Sequence, residues 1–354
     1  MARVVVGMSG GVDSAAACSL LKKEGYEVIG VTLRTWQGED GSDSRCCEEW
    51  DARRSALALE IPYYAINCEP QFKAKVVEPF LDAYLSGRTP NPCTGCNRQV
   101  KWQGLMDAAD RFGADYVATG HYAKIVRLSN GRYTVRPSET ARKDQSYMLY
   151  QLTQEQLSRT LFPLGDLSKD EVRRIAKEAG IPVFDKPDSQ EICFISDEDY
   201  TAFIEAQRPE AVPAPGNFVD AEGRVLGQHK GIIHYTIGQR RGLGLPAENR
   251  CYVTKIRPDT NEVVIGSDED LYTTICRGRE LHFMALEDLP EGESVRVFVK
   301  IRYQHRGEWA RVTRTGADEV RMEFEQAVRA PAPGQSAVFY TEEGIAGGAT
   351  IAEG

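Results

Sequence analysis

Gly7-Met8-Ser9-Gly10-Gly11-Val12-Asp13-Ser14 lies between a β-branched run that starts at Ala2 and a segment, Ser14 to Glu24, whose apolar residues have nearly helical spacing. This pattern predicts a strand, a tight loop and a helix. At such a place backbone N–H groups and the positive end of the helix face an anion, and glycines let the backbone approach phosphate oxygens. Ser9 and Ser14 add hydroxyl donors, and Asp13 suits Mg²⁺ binding or loop orientation. The segment therefore predicts a phosphate-binding loop, although it lacks the Gly-Lys-Ser/Thr ending of a Walker loop.

Strands and helices alternate beyond this loop. Apolar runs predict three further strands, at Glu27 to Leu33, Tyr63 to Ile66 and Tyr116 to Thr119. Helical periodicity predicts helices around Ala52 to Leu59, Val76 to Leu85 and Leu105 to Phe112. Such alternation favours an α/β fold with a doubly wound parallel sheet, in which ligands gather at the carboxyl ends of the strands.

Turn and proline signals divide the rest of the chain. Asn130-Gly131 predicts a hairpin, and Ser168 with Glu171 predicts a capping box at the start of a helix. The proline-rich stretch from Pro209 to Gly216 suits a linker, and the short strands after it predict a small central domain and a C-terminal β-barrel. We expect a catalytic domain over residues 1–205, the central domain over 206–275 and the barrel over 276–354.

The composition limits the classes of function. The chain has 354 residues, with 43 Lys and Arg against 52 Asp and Glu, and a formal net charge of -9. This charge opposes long-range attraction to a polyanion and by itself favours a small-molecule enzyme, so any RNA must meet a local basic patch. The sequence has neither a signal-peptide pattern nor a long apolar segment, so we expect a cytoplasmic protein without a membrane partner.

Nine cysteines without a secretory signal predict core, reactive or metal-binding thiols. Cys93 and Cys96 are three residues apart in a segment with Pro and Gly that predicts a loop, and their spacing suits one metal ion or disulfide exchange. Cys193 is the nearest later candidate for a further ligand. The three cysteines indicate either a metal with an open coordination position or a redox pair assisted by the third thiol. Cys46 and Cys47 are expected to be exposed or incidental thiols, and four cysteines in apolar contexts are expected in the core: Cys18, Cys68, Cys251 and Cys276.

The hexapeptide Ser9 to Ser14 resembles the PP-loop of the ATP pyrophosphatase superfamily, whose members adenylate a carbonyl oxygen and release pyrophosphate. The resemblance implies an ATP site formed by Gly7 to Ser14, with Leu33 beside the adenine and with Gly120 and His121 closing the nucleotide pocket. It leaves the substrate open, because GMP, asparagine, argininosuccinate and NAD synthetases fit this loop as well as tRNA-modifying enzymes do.

Five further stretches resemble one family of this superfamily, the bacterial tRNA-specific 2-thiouridylases: Thr89 to Asn97, Gly120 to Ala123, Lys143 to Tyr147, Asp188 to Ile195, and His229 to Gly244. The resemblance covers nearly the whole chain and implies the order of PP-loop domain, central domain and β-barrel. It implies ATP-dependent adenylation of the 2-oxygen of the wobble uridine, position 34, in tRNAs for Lys, Glu and Gln. Sulfur then replaces this oxygen to give 2-thiouridine, AMP and pyrophosphate.

The roles of the site residues follow from the same resemblance. Cys193 would carry a persulfide received from a sulfur donor, such as a cysteine desulfurase or a relay protein. Cys96 would release the sulfide or close a disulfide with Cys193, and Asp13 would act with Mg²⁺ in the ATP-dependent step. The implied tRNA contacts are Asn91, Pro92 and Cys93 at the flipped base, with His121, Lys143, Asp144, Gln145, Arg302, Tyr303 and Gln335 elsewhere.

Cys93 departs from the family pattern, because well-studied members have aspartate at this position. Cys93, Cys96 and Cys193 together resemble thiolases in which three cysteines hold a 4Fe-4S cluster and leave one iron open to hydrosulfide. We therefore predict a 4Fe-4S cluster, and keep the persulfide pair and a structural zinc site as alternatives.

Two other classes of function stay open. Another PP-loop ligase, acting on a small molecule, would release AMP without tRNA and would leave Cys93 and Cys96 unexplained. A cluster-bearing RNA-binding or sulfur-carrier module would not need the phosphate loop.

Overall fold

The computed structural model describes residues 1–38, 47–138, 144–187, 192–195, 199–245 and 251–353. The chain divides into two compact units. The first comprises Met1–Val77, Pro92–Glu198 and Glu342–Ile345, and the second comprises Glu78–Asn91, Asp199–Thr341 and Ala346–Gly354. The boundaries predicted near residues 205 and 275 stay a prediction.

The first unit contains a parallel sheet and a hairpin, with the strands β1 (Arg3–Gly7), β2 (Glu27–Arg34), β3 (Tyr63–Asn67), β4 (Tyr116–Ala118), β5 (Ala123–Arg127), β6 (Tyr133–Pro137) and β7 (Thr160–Leu161). The order across the sheet is β3-β2-β1-β4-β7, and its strand pairs are all parallel. Strands β5 and β6 form the hairpin predicted from Asn130-Gly131. These findings confirm the parallel-sheet α/β architecture.

The described helices are α1 (Val12–Lys23), α2 (Glu49–Ala58), α3 (Glu69–Phe72), α4 (Glu78–Leu85), α5 (Pro92–Cys96), α6 (Gln103–Phe112), α7 (Gln154–Ser158), α8 (Lys169–Glu178) and α9 (Tyr200–Gln207). Two π-helical segments, Lys73–Val77 and Asn97–Trp102, directly follow α3 and α5. The predicted capping box of Ser168 and Glu171 starts α8. None of the helices in the described ranges has the length and hydrophobicity needed to span a bilayer.

Small and β-branched residues pack α1 against the sheet. Val4, Val5 and Val6 of β1 are completely buried, as expected for a strand of a parallel sheet covered on both faces. Helix α1 buries a run of short side chains from Ala15 to Cys18, which lets its backbone approach the sheet. Val172 and Ala176 of α8 belong to the same core. The loop between β1 and α1 is thereby held by two well-packed elements.

The second unit contains a four-stranded sheet and a closed barrel. The sheet, of order β10-β11-β8-β9, consists of β8 (Gly216–Val219), β9 (Val225–His229), β10 (Tyr252–Arg257) and β11 (Glu262–Gly266). The barrel closes in the order β12-β15-β14-β13-β16-β17, with β12 (Tyr272–Phe283), β13 (Ser294–Lys300), β14 (Glu308–Gly316), β15 (Glu319–Arg329), β16 (Ser336–Thr341) and β17 (Gly344–Glu353). The predicted central domain and C-terminal barrel are confirmed.

The segment predicted as a loop around Cys93 and Cys96 is helical instead. Helix α5 spans Pro92–Cys96 and continues directly into the π-helical segment and α6. Proline is well suited to the first position of a helix, so Pro92 starts the helix here. The prediction was wrong because Pro and Gly were taken only as turn signals.

Candidate nucleotide and thiolation site

The phosphate loop presents the N-terminus of α1 without a side-chain cap. Gly11 occupies the N-cap position, and no side chain caps the helix there. The Ser14 hydroxyl accepts a hydrogen bond from Ser9 N at 3.2 Å and donates to Gly11 O at 3.1 Å. The first N–H groups of α1 thus face the loop, which is the arrangement that binds phosphate oxygens.

Two glycines are required for the backbone to close around this loop. Gly10 has φ +82°, and a Cβ there would lie 2.6 Å from Glu48 O. A Cβ on Gly120 would lie 2.7 Å from Ser14 N and from Asp13 C. Any larger residue at Gly120 would collide with the first turn of α1. The predicted role of Gly120 at the nucleotide pocket is consistent with this close approach.

Asp13 is held by two residues that the sequence prediction missed. Lys169 Nζ donates to both carboxylate oxygens, at 2.7 and 2.8 Å, and the Tyr122 hydroxyl donates to Asp13 Oδ1 at 2.7 Å. The Lys169 side chain is only 12% exposed. Lys169 is also the first residue of α8, where the helix dipole disfavours a cation. Because a lysine is unfavourable at the start of a helix, its presence there could have indicated an anionic partner from the sequence alone.

The end of β2 is joined to the phosphate loop. Met8 N donates to Val31 O at 2.8 Å, and the Thr32 hydroxyl donates to Met8 O at 2.7 Å. Leu33 follows at the carboxyl end of β2 and is 9% exposed. Gly7 to Ser14, Leu33 and Gly120 therefore share one edge of the sheet. The uncapped helix, the glycine cradle and the nearby lysine fit a nucleotide phosphate chain.

His121 is a neutral imidazole in this environment. Its Nδ1 lies 2.8 Å from Thr119 Oγ1, and its ring packs against Trp102 at 5.6 Å and Phe162 at 6.0 Å between centroids. Burial, assisted by the charge of Lys101, lowers the pKa of His121 to about 3. The RNA contact predicted for His121 stays a prediction.

The segment predicted to contact tRNA next to His121 is hydrogen-bonded to Tyr122 through Gln145. Gln145 N donates to Tyr122 O, and Tyr122 N donates to Gln145 Oε1, both at 3.0 Å. Asp144 accepts hydrogen bonds from the Ser146 backbone N–H and hydroxyl, each at 3.0 Å. Lys143 lies outside the described residues. Gln145 thus positions the segment in addition to any contact that it makes with RNA.

Three cysteines were predicted to carry the sulfur chemistry. Cys93 is half-buried and Cys96 is 5% exposed, and both lie on one turn of α5. Cys193 is half-buried, and its neighbour Phe194 packs against Phe72 at 5.5 Å between ring centroids. The eight cysteines in the described ranges are thiols and not disulfides.

The remaining cysteines largely follow the prediction, with corrections at Cys251, which was expected in the core, and at Cys47. Cys18, Cys68 and Cys276 are buried, and burial raises the pKa of Cys18 and Cys276 to about 12. Cys251 is half-buried. Cys47 was expected to be exposed but is 1% exposed, with its Sγ 3.5 Å from Thr35 Oγ1. The polar sequence around Cys47 gave no sign of this burial. Cys46 lies outside the described residues.

Gln335, one of the tRNA contacts predicted in the second unit, is hydrogen-bonded to Thr89. Its Nε2 donates to Thr89 O at 2.9 Å, and Thr89 N donates to Pro333 O at 2.7 Å. These bonds hold the chain two residues before Asn91. Arg302 is half-buried and Tyr303 is 36% exposed, in the connection between β13 and β14.

Comparisons with known proteins match the whole chain. Three family models match it in succession: the tRNA methyl transferase HUP domain over residues 2–197, the tRNA methyl transferase PRC-barrel domain over 201–267, and the aminomethyltransferase beta-barrel domain over 273–351. The chain is 51% identical to the tRNA-specific 2-thiouridylase MnmA of Lachnoclostridium phytofermentans over 358 residues, or 99% of each chain. It is 46% identical to the MnmA of Clostridioides difficile over 99% of this chain and 98% of that protein.

The chain belongs to the tRNA-specific 2-thiouridylase family.

The domain descriptions mention methyl transfer, whereas the full-length relatives of this 2-thiouridylase are named for thiolation. Among solved structures, the U34-tRNA thiolase NcsA from Methanococcus maripaludis with its [4Fe-4S] cluster is 18% identical. It covers 59% of this chain and 67% of its own, with a TM-score of 0.35, a likeness too low to support any inference about the site.

The surroundings of the three cysteines bear on the predicted metal site. Within the described ranges, which include Cys93, Cys96 and Cys193, no group of three or more His, Cys, Asp or Glu side chains could hold a metal ion. The three thiols are thus not gathered around a single metal ion among the described residues. The cluster stays a prediction, and no catalytic step below depends on it.

Proposed function

We propose that this chain binds ATP at the phosphate loop, adenylates the 2-oxygen of uridine 34 in tRNA, and replaces that oxygen with sulfur. Membership of the family makes the chain a sulfurtransferase that 2-thiolates tRNA. The observation that carries the ATP-dependent step is the uncapped N-terminus of α1, closed by Gly120 at a distance that only glycine permits. This site suits the phosphates of ATP, which supplies the adenylyl group.

Lys169 and Asp13 would change partners when ATP binds. Lys169 now neutralises Asp13 through two hydrogen bonds, in a site where fixed charges have a large effect because water is partly excluded. A triphosphate at the loop would draw the Lys169 ammonium to a phosphate oxygen. The Asp13 carboxylate would then be available for Mg²⁺, while the hydrogen bond from Tyr122 keeps the carboxylate oriented.

The sulfur step rests on Cys96 and Cys193. In the route that follows from the family, the terminal sulfur of a Cys193 persulfide attacks C2 of the adenylated base, and AMP leaves with the former 2-oxygen. The Cys96 thiolate then attacks Cys193 Sγ, which releases the 2-thio group and forms a disulfide that an external thiol must reduce. The positions of Cys96 at the buried end of α5 and Cys193 in a half-buried turn are compatible with these roles.

The cluster and persulfide routes differ in their need for Cys93. Iron and labile sulfide are measured on anaerobically purified protein, and 2-thiouridine formation is compared between wild type and Cys93→Ala. About four irons per chain, as a 4Fe-4S centre requires, with an inactive Cys93→Ala variant would establish the cluster. Absence of iron and full activity of Cys93→Ala with a persulfide donor would establish the persulfide pair.

The partners follow from this chemistry. The substrates would be the tRNAs for Lys, Glu and Gln, contacted by Asn91, Pro92, Cys93 and the other predicted residues. A cysteine desulfurase or relay protein would supply the sulfur, and the enzyme would act in the cytoplasm. Thiolation of purified tRNAs, each tested separately with ATP and a sulfur source, checks this substrate range.

The alternative is a PP-loop ligase that adenylates a small molecule. It would release AMP in the absence of tRNA, and substitution of Cys96 or Cys193 would leave that release unchanged. AMP formation measured with and without unmodified tRNA distinguishes the two functions. We expect stoichiometric AMP and 2-thiouridine only when tRNA is present.

A further inference from the structure

Helix α2 exposes two cations and two large apolar side chains. Trp50 is 70% exposed and Leu57 is 79% exposed, and Arg53 and Arg54 between them are also exposed. The opposite side of the helix, with Ala52, Ser55 and Ala56, is buried. We call the exposed group Trp50, Arg53 and Arg54 the α2 surface. Because residues three and four apart lie on one face of a helix, both arginines are neighbours of Trp50.

The start of α2 is hydrogen-bonded to the phosphate loop. Glu48 N, at the N-cap of α2, donates to Ser9 O at 3.2 Å, and the backbone of Glu48 is the group that excludes a side chain at Gly10. Trp50 follows two residues later. With a rise of about 1.5 Å per residue, Trp50 and Arg54 lie within roughly 10 Å of this junction along the helix axis.

The acidic residues of the first turn are shared between Lys186 and Arg54, whose Nη1 lies 3.7 Å from Asp51 Oδ1. Lys186 Nζ bonds to Asp51 Oδ2 at 2.6 Å and also to the Glu48 carboxylate. Glu48, Glu49 and Asp51 are half-buried, whereas Arg53 and Arg54 are exposed. A partner that approaches from solvent therefore meets two exposed arginines and an indole ring, in a chain whose overall charge is -9.

We propose that the α2 surface binds the tRNA substrate beside the target uridine, with Trp50 stacking on a base and Arg53 and Arg54 contacting phosphates. The inference rests on the proposed function, because the 2-oxygen of the target base must reach an ATP α-phosphate held at the loop from which α2 starts. Single-stranded RNA is recognised by aromatic stacking together with arginine, and tRNA is the substrate that offers both a base to Trp50 and phosphates to the two exposed arginines. Leu57, one further turn along, suits neither a base nor a phosphate and is excluded from the surface.

The test measures the affinity of an unmodified glutamate tRNA transcript by filter binding. We expect Trp50→Ala to weaken binding about 5- to 100-fold, which corresponds to about 1–3 kcal/mol for a lost base stack. Trp50→Phe should retain most of the affinity. Arg53→Ala with Arg54→Ala should lower the slope of log affinity against log salt by about two, the value for two phosphate contacts.

Matched controls separate this binding from helix stability and from ATP binding. Leu57→Ala on the same helix and Arg174→Ala, an exposed arginine of α8, should leave tRNA affinity unchanged. ATP affinity should be unchanged in every variant. A purely structural role for Trp50 would lower the melting temperature and affect ATP binding as well.

Three results would overturn the inference. One is tRNA affinity that is unchanged in Trp50→Ala and in the double arginine variant. Another is a loss of activity in both Trp50→Ala and Leu57→Ala that occurs only when a cysteine desulfurase supplies the sulfur. This result would make α2 a docking site for a protein. The third is loss of affinity in Trp50→Ala that Trp50→Phe does not restore. A wild-type protein that makes no 2-thiouridine would instead contradict the proposed function.

Discussion

The phosphate loop and the cysteine site differ in how completely the structure assembles them. At the loop, Asp13 has Lys169 and Tyr122 as partners, and two glycines fit against backbone atoms. At the cysteines, α5 positions two thiols on one turn, and the third lies in a half-buried turn without forming a metal-binding group with them. The phosphate loop is preorganised by contacts between distant segments of the chain, whereas the joint role of the three cysteines stays a prediction.

This difference indicates a division of labour that variants can separate. Changes at the loop should impair the ATP-dependent step, and changes at the cysteines should impair only the transfer of sulfur.

Cys193→Ser should reduce 2-thiouridine formation by at least about 10³-fold, as for the removal of other catalytic nucleophiles. ATP binding should be unchanged, since the thiol is not part of the phosphate loop. Nucleoside mass spectrometry and equilibrium binding of ATP measure the two effects. Cys276→Ser, in the barrel core, serves as a control that should affect stability alone. Weaker ATP binding in Cys193→Ser would contradict the separation of the two halves.

Lys169→Met should slow the ATP-dependent step by about 10²–10³-fold, the range for loss of one preorganised electrostatic contact. The variant leaves Asp13 without its cation, so ATP affinity should fall as well. The rate of AMP formation with saturating tRNA is the measurement. Lys177→Met, an exposed lysine on the same helix, should behave like wild type. Equal rates for Lys169→Met and wild type would remove Lys169 from the site.

Gly120→Ala should weaken ATP binding and lower the stability by about 1–3 kcal/mol, because the new methyl group collides with backbone atoms of α1. Thermal unfolding and ATP titration test both effects. Gly316→Ala provides the control, since its nearest neighbour would lie 3.7 Å away. Normal ATP affinity in the Gly120→Ala variant would show that the nucleotide does not depend on this close approach.

His121→Gln should make the protein more resistant to acid. The pKa of His121 is lowered from 6.5 to about 3, so between these values the unfolded chain binds a proton that the folded protein does not. Stability contributed by the neutral imidazole is therefore present above pH 6.5 and is lost as the pH falls toward 3. The acid unfolding midpoint, followed by circular dichroism, should move to lower pH in the variant.

His305→Gln should give a smaller shift in the same direction, because the pKa of His305 is lowered less, to about 4. Identical midpoints for wild type and His121→Gln would mean that His121 titrates near its ordinary pKa. Such a result would leave His121 able to contact RNA as a cation.

Sequence patterns predicted the fold well where local signals and burial agree. The loop from Gly7 to Ser14, the Asn130-Gly131 hairpin and the capping box at Ser168 each depend on residues that are adjacent in the chain. Strand β17 was missed because Gly344–Glu353 is rich in Gly and Ala, and only closure of the barrel makes it a strand.

The site was predictable only in part, because its decisive contacts join distant segments. Lys169 reaches Asp13 across 156 residues, and the backbone of Gly120 fits against α1. Cys47 lies in a polar stretch, and its burial depends on packing beside Thr35. Tertiary contacts of this kind leave no periodic signal in the sequence.

The most direct test of the account follows the oxygen that leaves the base. The enzyme is incubated with unmodified tRNA, ATP, Mg²⁺ and a sulfur source in water enriched in ¹⁸O, and AMP and 2-thiouridine are measured by mass spectrometry. Adenylation of the 2-oxygen predicts one unlabelled AMP for each 2-thiouridine, because the oxygen that AMP gains comes from the uridine. AMP that carries ¹⁸O from the solvent, or AMP formed without 2-thiouridine, would contradict activation of the base by ATP.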